Sequence, residues 1–180
     1  MTHASLVERA VRWLRQYGCG IILSEQSGGG DEIPDVIGWK GKCRSVVVEC
    51  KVTRADFLAD GNKPFRLRPE RGMGCERYYL APAELIRPEE LPPGWGLLEV
   101  AARKVRIVER CNPRSSLRGK QGLMQELNLM LASLVRVQVR LGPQTLTDFL
   151  KWENRMARYN GGQAPEGLGG AEAKLTDLRF

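Results

Sequence analysis

A short valine-rich segment constrains the fold of this chain more than any other feature of its sequence. Residues 46–52 read Val-Val-Val-Glu-Cys-Lys-Val, so apolar side chains occupy both faces of a strand-like run. Strands that are apolar on both faces are typical of the covered centre of a sheet. Residues 45–52 are therefore predicted to form a central strand, on which Glu49 and Lys51 share one face because side chains alternate.

A second strand-like run brings a further carboxylate toward this segment. Residues 32–39 are predicted to form a strand that contains Asp35, and residues 40–42 a hairpin turn. If the two strands pair, Asp35, Glu49 and Lys51 meet at one spot. Two carboxylates and one ammonium can hold a divalent metal and polarise a phosphodiester. The alternative is an ion pair on an exposed sheet face, but charges are rare in a buried strand.

The remaining segments predict a mixed α/β fold. A Ser-x-x-Glu pattern at Ser5 and Glu8 predicts the start of a first helix. Thr53 and Asp56 predict the start of a second helix in the same way. The order αβββαβ indicates a mixed central sheet flanked by helices. The predicted elements are a helix from residue 5, strands 19–24, 32–39 and 45–52, a helix after residue 53, a basic loop 61–74, and strands 76–81, 95–100 and 104–109.

The hydrophobic period changes after residue 113. Residues 117–139 are predicted to form a long helix, and a last helix is predicted from residue 145 or 147 to 157. The predicted division is a core over 1–112, a helical extension over 113–158 that packs on the core or a partner, and a flexible tail over 159–180. The apolar stripe of the long helix is formed by Leu123, Met124, Leu127, Leu131, Leu134 and Val135.

Composition argues against several other classes of protein. Hydrophobic residues make up 42% and charged residues 27% of the 180 residues, as in soluble globular proteins. No apolar run approaches the roughly 18 residues of a membrane helix. The first residues lack the pattern of a secretory signal, so a cytoplasmic location is expected. Five cysteines without a Cys-x-x-Cys pair and a single histidine, His3, argue against a zinc site, a disulfide framework and Ser-His catalysis.

The positive charge is concentrated in the second half of the chain. The net charge is +7, and over residues 101–158 basic residues outnumber acidic ones by 12 to 4, whereas both number 14 over residues 1–100. A one-sided basic region predicts a polyanionic partner, nucleic acid first. The alternative is a solvated face without a partner.

The strand motif and its continuation resemble the PD-(D/E)XK nuclease superfamily. Pro34-Asp35 is followed by Glu49-Cys50-Lys51, and residues 49–60 continue into an Asp-Phe-x-x-Asp helix. This continuation resembles a group of small bacterial and phage members, over about residues 5–110. The resemblance implies a restriction-endonuclease-like core, a nuclease that acts on DNA in repair, recombination or defence, and Mg²⁺ or Mn²⁺ as the cofactor.

Roles for the motif residues are implied by the same resemblance. Asp35, Glu49 and Lys51 take the catalytic roles of the superfamily. Asp35 and Glu49 would bind the metal together with the backbone carbonyl of Cys50, and Lys51 would position or polarise the attacking water.

Further site residues are expected around this set. Superfamily members often add an acidic residue from the first helix or strand, for which Glu25 is better placed than Glu8. Asp56 and Asp60 match the helix pattern, although Asp56 has an equal explanation as a helix-capping residue. Basic residues that could hold the nucleic-acid backbone are Arg54, Lys63, Arg66 and Arg71.

Two other interpretations stay open from the sequence. The chain could be a non-catalytic nucleic-acid-binding module on the nuclease fold. It could also be an interaction protein that docks a partner, or a second copy as a homodimer, through its C-terminal helices. Nucleic-acid binding weakens steeply with salt and apolar docking does not, so salt dependence separates them.

Overall fold

The computed structural model describes residues 1–30, 32–102, 104–112, 118–140 and 146–159, with side chains in the last helix described through residue 152. Apart from Tyr159, which ends the last helix, the predicted tail lies outside the described residues. The contacts between residues divide the chain into two compact units, Met1–Leu129 and a second that begins at Met130. The boundary expected at residue 112 stays a prediction. In the described part of the chain, no helix is long and apolar enough to cross a membrane.

One mixed sheet of six strands forms the centre of the first unit, within the described residues. The strands lie side by side in chain order. The third, fourth and fifth are parallel to one another, and the other neighbours are antiparallel. The strands are β1 (Ile21–Ser24), β2 (Val36–Lys40), β3 (Arg44–Cys50), β4 (Glu76–Pro82), β5 (Gly96–Ala101) and β6 (Lys104–Glu109).

Helices precede, interrupt and follow the strands along the chain. The segment between β3 and β4 contains two short helices, and the chain after β6 forms two longer ones. The described helices are α1 (His3–Gln16), α2 (Arg54–Asp60), α3 (Pro64–Leu67), α4 (Lys120–Arg140) and α5 (Leu146–Tyr159), with 3-10 turns at Pro69–Arg71 and Pro88–Glu90.

The central strand β3 contributes to both faces of the sheet, as its composition predicts. Val46, Val48 and Cys50 pack on one face in the apolar core with α1. Val47 packs on the opposite face, which also carries Glu49 because side chains alternate along a strand. The fold is thus the mixed α/β, restriction-endonuclease-like architecture expected from the sequence.

Several local predictions need correction. The first helix begins after Thr2, whose hydroxyl accepts the Ser5 N–H, so the predicted capping box at Ser5 is wrong. The predicted basic loop contains α3, because Pro64 restarts a helix at a position where no N–H is needed. By contrast, Thr53 caps α2 and accepts the Asp56 N–H, as predicted.

The long helix α4 does not bury its predicted apolar stripe. The stripe residues Leu123, Met124 and Leu127 are 45–49% exposed, and the same helix turns Gly122 and Glu126 inward. Leu129 continues the inward row at helical spacing. The buried face is therefore offset by one residue from the row that hydrophobicity selects.

Candidate active site

Asp35 is fixed at the end of β2 by the backbone of β3. Val36 pairs with Val48, so one further step of the same antiparallel register sets Asp35 opposite Glu49. The Cys50 N–H donates to Asp35 Oδ2 at 2.7 Å. The carboxylate of Asp35 is thereby held where the two strands end, with 21% of its side chain exposed.

Glu49 and Lys51 lie on one face of the sheet and are almost fully buried. Their side chains are 2% and 4% exposed, and Lys51 Nζ lies 3.8 Å from Glu49 Oε2. The Lys51 N–H donates to Leu80 O at 2.9 Å, which prolongs the pairing with β4 beyond the last residue of β3. The three residues of the predicted catalytic set therefore come together at the ends of β2 and β3.

Asp60 at the end of α2 organises the positive groups around this set. Its Oδ1 lies 3.0 Å from Lys51 Nζ and 2.7 Å from Lys63 Nζ. Its Oδ2 accepts hydrogen bonds from Tyr79 Oη and Arg66 Nε, both at 2.7 Å. Burial alone would raise the pKa of Asp60, but the Arg66 charge and the hydrogen bonds from Lys63 and Tyr79 hold it well below its ordinary value.

The charge of Lys51 is stabilised by its neighbours. Burial would lower the pKa of Lys51, but the charges of Glu49 and Asp60 outweigh burial and raise it above its ordinary value. Asp56 adds a third carboxylate, 3.7 Å from Lys51 Nζ. Lys51 is therefore held as an ammonium group.

Arg66 is buried rather than offered to a ligand. Its side chain is 2% exposed and forms ion pairs with Asp60 at 2.7 Å, Glu32 at 3.1 Å and Glu49 at 3.4 Å. The guanidinium also lies over the Trp95 ring, 4.3 Å from its centroid. The expectation that Arg66 contacts nucleic acid needs correction, because carboxylates and an aromatic ring already enclose it.

Glu49 is a buried carboxylate whose pairing is incomplete. Its Oε1 has no hydrogen-bond partner among the described residues, and neither does the facing Arg66 Nη2. Burial raises the pKa of Glu49 above its ordinary value, and the nearby charge of Asp35 adds to this, while the Arg66, Lys51 and Lys63 charges oppose it. An incompletely paired buried carboxylate is uncommon and is a candidate ligand for a cation.

Glu25 and His3 lie beside Asp35. His3 Nε2 lies 3.5 Å from Asp35 Oδ1 and 3.7 Å from Glu25 Oε1. The Glu25 N–H also donates to Asp35 O at 2.9 Å, so Glu25 sits at the mouth of the site. Glu8, the other acidic candidate, is exposed on α1.

The other predicted basic residues lie nearer the surface. Lys63 is 42% exposed. The guanidinium of Arg54 is paired with Glu90 and also donates to Leu85 O. Arg71 is partly exposed, and its carbonyl accepts the Gln125 side-chain amide at 2.9 Å.

A divalent cation fits the chemistry of Asp35 and Glu49. Among the described residues, no group of three or more His, Cys, Asp or Glu side chains is arranged to hold a metal. Mg²⁺, however, usually takes only one or two protein carboxylates and keeps several waters. Oε1 of Glu49, which accepts no hydrogen bond from the described residues, is an oxygen that such a cation could satisfy.

Two members of the buried network carry no signal in the sequence. Glu32 has a fully buried side chain that accepts the Met73 N–H at 2.6 Å and pairs with Arg66. Tyr79 is part of an aromatic strand, and nothing in its local pattern marks the hydroxyl that reaches Asp60. Both are identified only by contacts between segments distant in the chain.

The sheet, its helices and the carboxylate-lysine set define a protein of the restriction-endonuclease-like fold class. Residues 3–59 match the family model of the archaeal Holliday junction resolvase, Hjc. The matched segment is about a third of the chain and contains Asp35, Glu49 and Lys51. This match supports the PD-(D/E)XK resemblance at the level of the superfamily.

A solved structure supports the fold. The chain is similar to the SPO1766 protein of unknown function from Silicibacter pomeroyi, with 24% identity and a TM-score of 0.56. The similarity covers 79% of this chain and 94% of that one. No curated protein matches the chain.

Proposed function

We propose that the chain is a divalent-metal-dependent nuclease of the PD-(D/E)XK type that hydrolyses phosphodiester bonds in DNA. The observation that carries this proposal is the meeting of Asp35, Glu49 and Lys51 at the ends of two paired strands. The incomplete pairing of Glu49 supports it, because a purely structural carboxylate would be fully hydrogen-bonded.

The cofactor would be held by the carboxylates of Asp35 and Glu49, with the carbonyl of Cys50 and with Glu25 as further oxygen donors. A bound Mg²⁺ or Mn²⁺ supplies Lewis-acid stabilisation of the phosphate and lowers the pKa of bound water. Asp35 is held in place for this role by the Cys50 N–H. Lys51 orients the attacking water from a position fixed by Asp60.

The reaction is a hydrolysis that needs no other reactant. The water oxygen forms a bond to phosphorus and loses one proton to solvent, and the bond from phosphorus to the leaving oxygen breaks. The leaving oxygen takes up a proton from solvent. The main catalytic requirement is to stabilise the charge that develops on the phosphoryl oxygens.

The substrate is proposed to be DNA, in repair, recombination or defence in a bacterial or phage setting. The name of the Hjc family adds a specific candidate, the four-way junction, to single-stranded, duplex and flap DNA. Arg54, Arg71 and the basic residues after position 100 would hold the backbone. Phosphate contacts carry no base identity, so we expect little sequence specificity.

Partner contacts through the C-terminal helices belong to the same proposal. Outward-facing apolar side chains of α4 offer a surface to a protein partner or a second copy. Light scattering of the purified chain over a range of concentrations tests self-association. The exposed residues are Leu123, Met124, Leu127, Leu131, Leu134, Val135, Val137 and Val139.

Cleavage of a labelled substrate panel tests the nuclease proposal. The panel contains single-stranded, duplex, flap and four-way-junction DNA together with RNA, with Mg²⁺ or Mn²⁺. EDTA and Lys51→Ala are the controls, and we expect either to abolish cleavage. Absence of metal-dependent cleavage, together with salt-sensitive DNA binding, would replace the enzyme by a binding module on the same fold.

A further inference from the structure

Two lysine ammonium groups contact the same pair of carboxylate oxygens in the candidate active site. Lys51 Nζ lies 3.0 Å from Asp60 Oδ1 and 3.8 Å from Glu49 Oε2. Lys63 Nζ lies 2.7 Å from Asp60 Oδ1 and 3.9 Å from Glu49 Oε2. Lys63 thus contacts, from a different part of the chain, the same two oxygens as Lys51.

The two lysines differ in their access to solvent. The side chain of Lys51 is 4% exposed, whereas that of Lys63 is 42% exposed. A long lysine stem can keep its body on the protein while the ammonium turns toward solvent or a ligand. The side chain of Lys63 is therefore the more accessible of the two to an incoming phosphodiester.

Lys63 stands immediately before α3 and is positioned by Asp60, three residues earlier in the chain. Its N–H donates to Asp60 O at 3.0 Å, which turns the chain so that the side chain points back to the Asp60 carboxylate. Asp60 therefore holds both ammonium groups beside Glu49.

We propose that Lys63 is a further catalytic residue whose ammonium contacts a non-bridging oxygen of the scissile phosphate. This inference rests on the proposed function and adds a second cation to it. Lys51 positions the attacking water, and Lys63 stabilises the negative charge that develops on the phosphoryl oxygens. Lys63 forms and breaks no covalent bond.

Single-turnover cleavage at saturating protein, measured together with DNA affinity, tests this role. The variants are Lys63→Met, which removes the charge at similar length, and Lys63→Arg, which keeps the charge on a different head group. The matched control is Lys42→Met, because Lys42 is an exposed lysine in the turn between β2 and β3. The length of β3, on the order of 20 Å, separates that turn from Glu49.

We expect Lys63→Met to lower the single-turnover rate about 100-fold, as loss of one oxyanion-stabilising donor does elsewhere. Its DNA affinity should match that of Lys42→Met, whereas its urea midpoint should be lower because the buried Asp60 carboxylate loses one hydrogen bond. Lys63→Arg should recover part of the lost rate. A purely structural or backbone-binding role would change stability or affinity but leave the rate at saturation intact.

Equal saturated rates for Lys63→Met and Lys42→Met would overturn the inference. So would a loss in Lys63→Met that disappears when DNA is fully bound. Lys51→Ala distinguishes this failure from failure of the proposed function. If Lys51→Ala is inactive while Lys63→Met is unimpaired, only the role of Lys63 is lost; if wild type cleaves nothing, both proposals fail.

Discussion

Glu126 and Glu49 are two buried carboxylates that differ in how completely their oxygens are paired. Their exposures are 3% and 2%, so burial does not distinguish them. Glu126 Oε1 accepts the Ser45 hydroxyl at 2.9 Å and the Gly74 N–H at 2.8 Å, and Oε2 accepts Arg118 Nη1 at 2.9 Å. Both oxygens of Glu126 are therefore satisfied by short hydrogen bonds.

Glu49 is surrounded by positive charge but not by hydrogen bonds of the same quality. The nearest cationic nitrogens lie at 3.4 Å for Arg66, 3.8 Å for Lys51 and 3.9 Å for Lys63. These distances exceed the roughly 2.7–3.2 Å of ordinary N–H···O hydrogen bonds. Lys51 and Lys63 make their short contacts with Asp60 instead, and Arg66 makes one with Glu32.

This difference separates a structural carboxylate from a functional one. A fully paired buried group fixes the fold, and here it ties the first half of α4 to β3. A buried carboxylate with a free lone pair and a raised pKa is the kind of group that clusters at functional sites. Burial and charge alone would not distinguish Glu49 from Glu126.

Exchange of each carboxylate for its amide gives the largest expected difference. Glu49→Gln should lower metal-dependent DNA cleavage by about 10⁴-fold, in the range seen for single members of other catalytic sets. Glu126→Gln should cleave at close to the wild-type rate, because its site is distant from the proposed chemistry. Rates at saturating Mg²⁺ measure both, and equal losses in the two variants would abolish the distinction.

Substitution by alanine should reverse the order of the two carboxylates, because stability rather than cleavage is then measured. Glu126→Ala should lower the free energy of unfolding by about 3–5 kcal/mol, because it removes the carboxylate partner of Arg118 and the acceptor for three further donors, on Trp39, Ser45 and Gly74. Glu49→Ala should cost about 1–3 kcal/mol, because Lys51 and Arg66 keep their short contacts with Asp60. Urea titration of both variants measures this, and a larger loss in Glu49→Ala would refute the assignment of roles.

The proposed site could be predicted from the sequence because its members are local. Glu49 and Lys51 share a face by simple alternation on a Val-rich strand, and Asp35 reaches them through the next strand and one turn. Hydrophobic pattern therefore determined the element order, the central place of β3 and the meeting of the three residues.

The rest of the network could not be predicted from the sequence. Its members come from distant segments that meet only after the chain turns back on itself. Arg66 is an exposed loop residue by sequence, but α3 turns it into the sheet face, where Glu32 and Asp60 pair with it. Glu126 was missed for a related reason. In α4 the docked face is selected by close backbone approach and polar contacts at Gly122 and Glu126, which a count of apolar residues does not register.

The docking of α4 gives a smaller and more specific prediction. An added Cβ at Gly122 would lie 2.2 Å from the Gly72 carbonyl oxygen, so Gly122→Ala should cost about 1–3 kcal/mol. The matched control is Asn128→Ala on the exposed side of the same helix. Because alanine has a higher helix propensity than asparagine, this variant should be more stable than wild type by about 0.5 kcal/mol. Thermal or urea unfolding measures both, and a stabilised Gly122→Ala protein would place this face of α4 away from Gly72.

The smallest expected difference comes from removing one hydroxyl group near Glu126 and one near Asp60. Ser45→Ala and Tyr79→Phe should each cost about 1 kcal/mol of stability, because each hydroxyl donates to one buried carboxylate. Only Tyr79→Phe should also slow cleavage, by several-fold, because Asp60 then positions Lys51 and Lys63 with one restraint fewer. Matched urea midpoints with a rate loss confined to Tyr79→Phe would show that the hydroxyl acts through Asp60, whereas equal rates would leave Asp60 with a structural role alone.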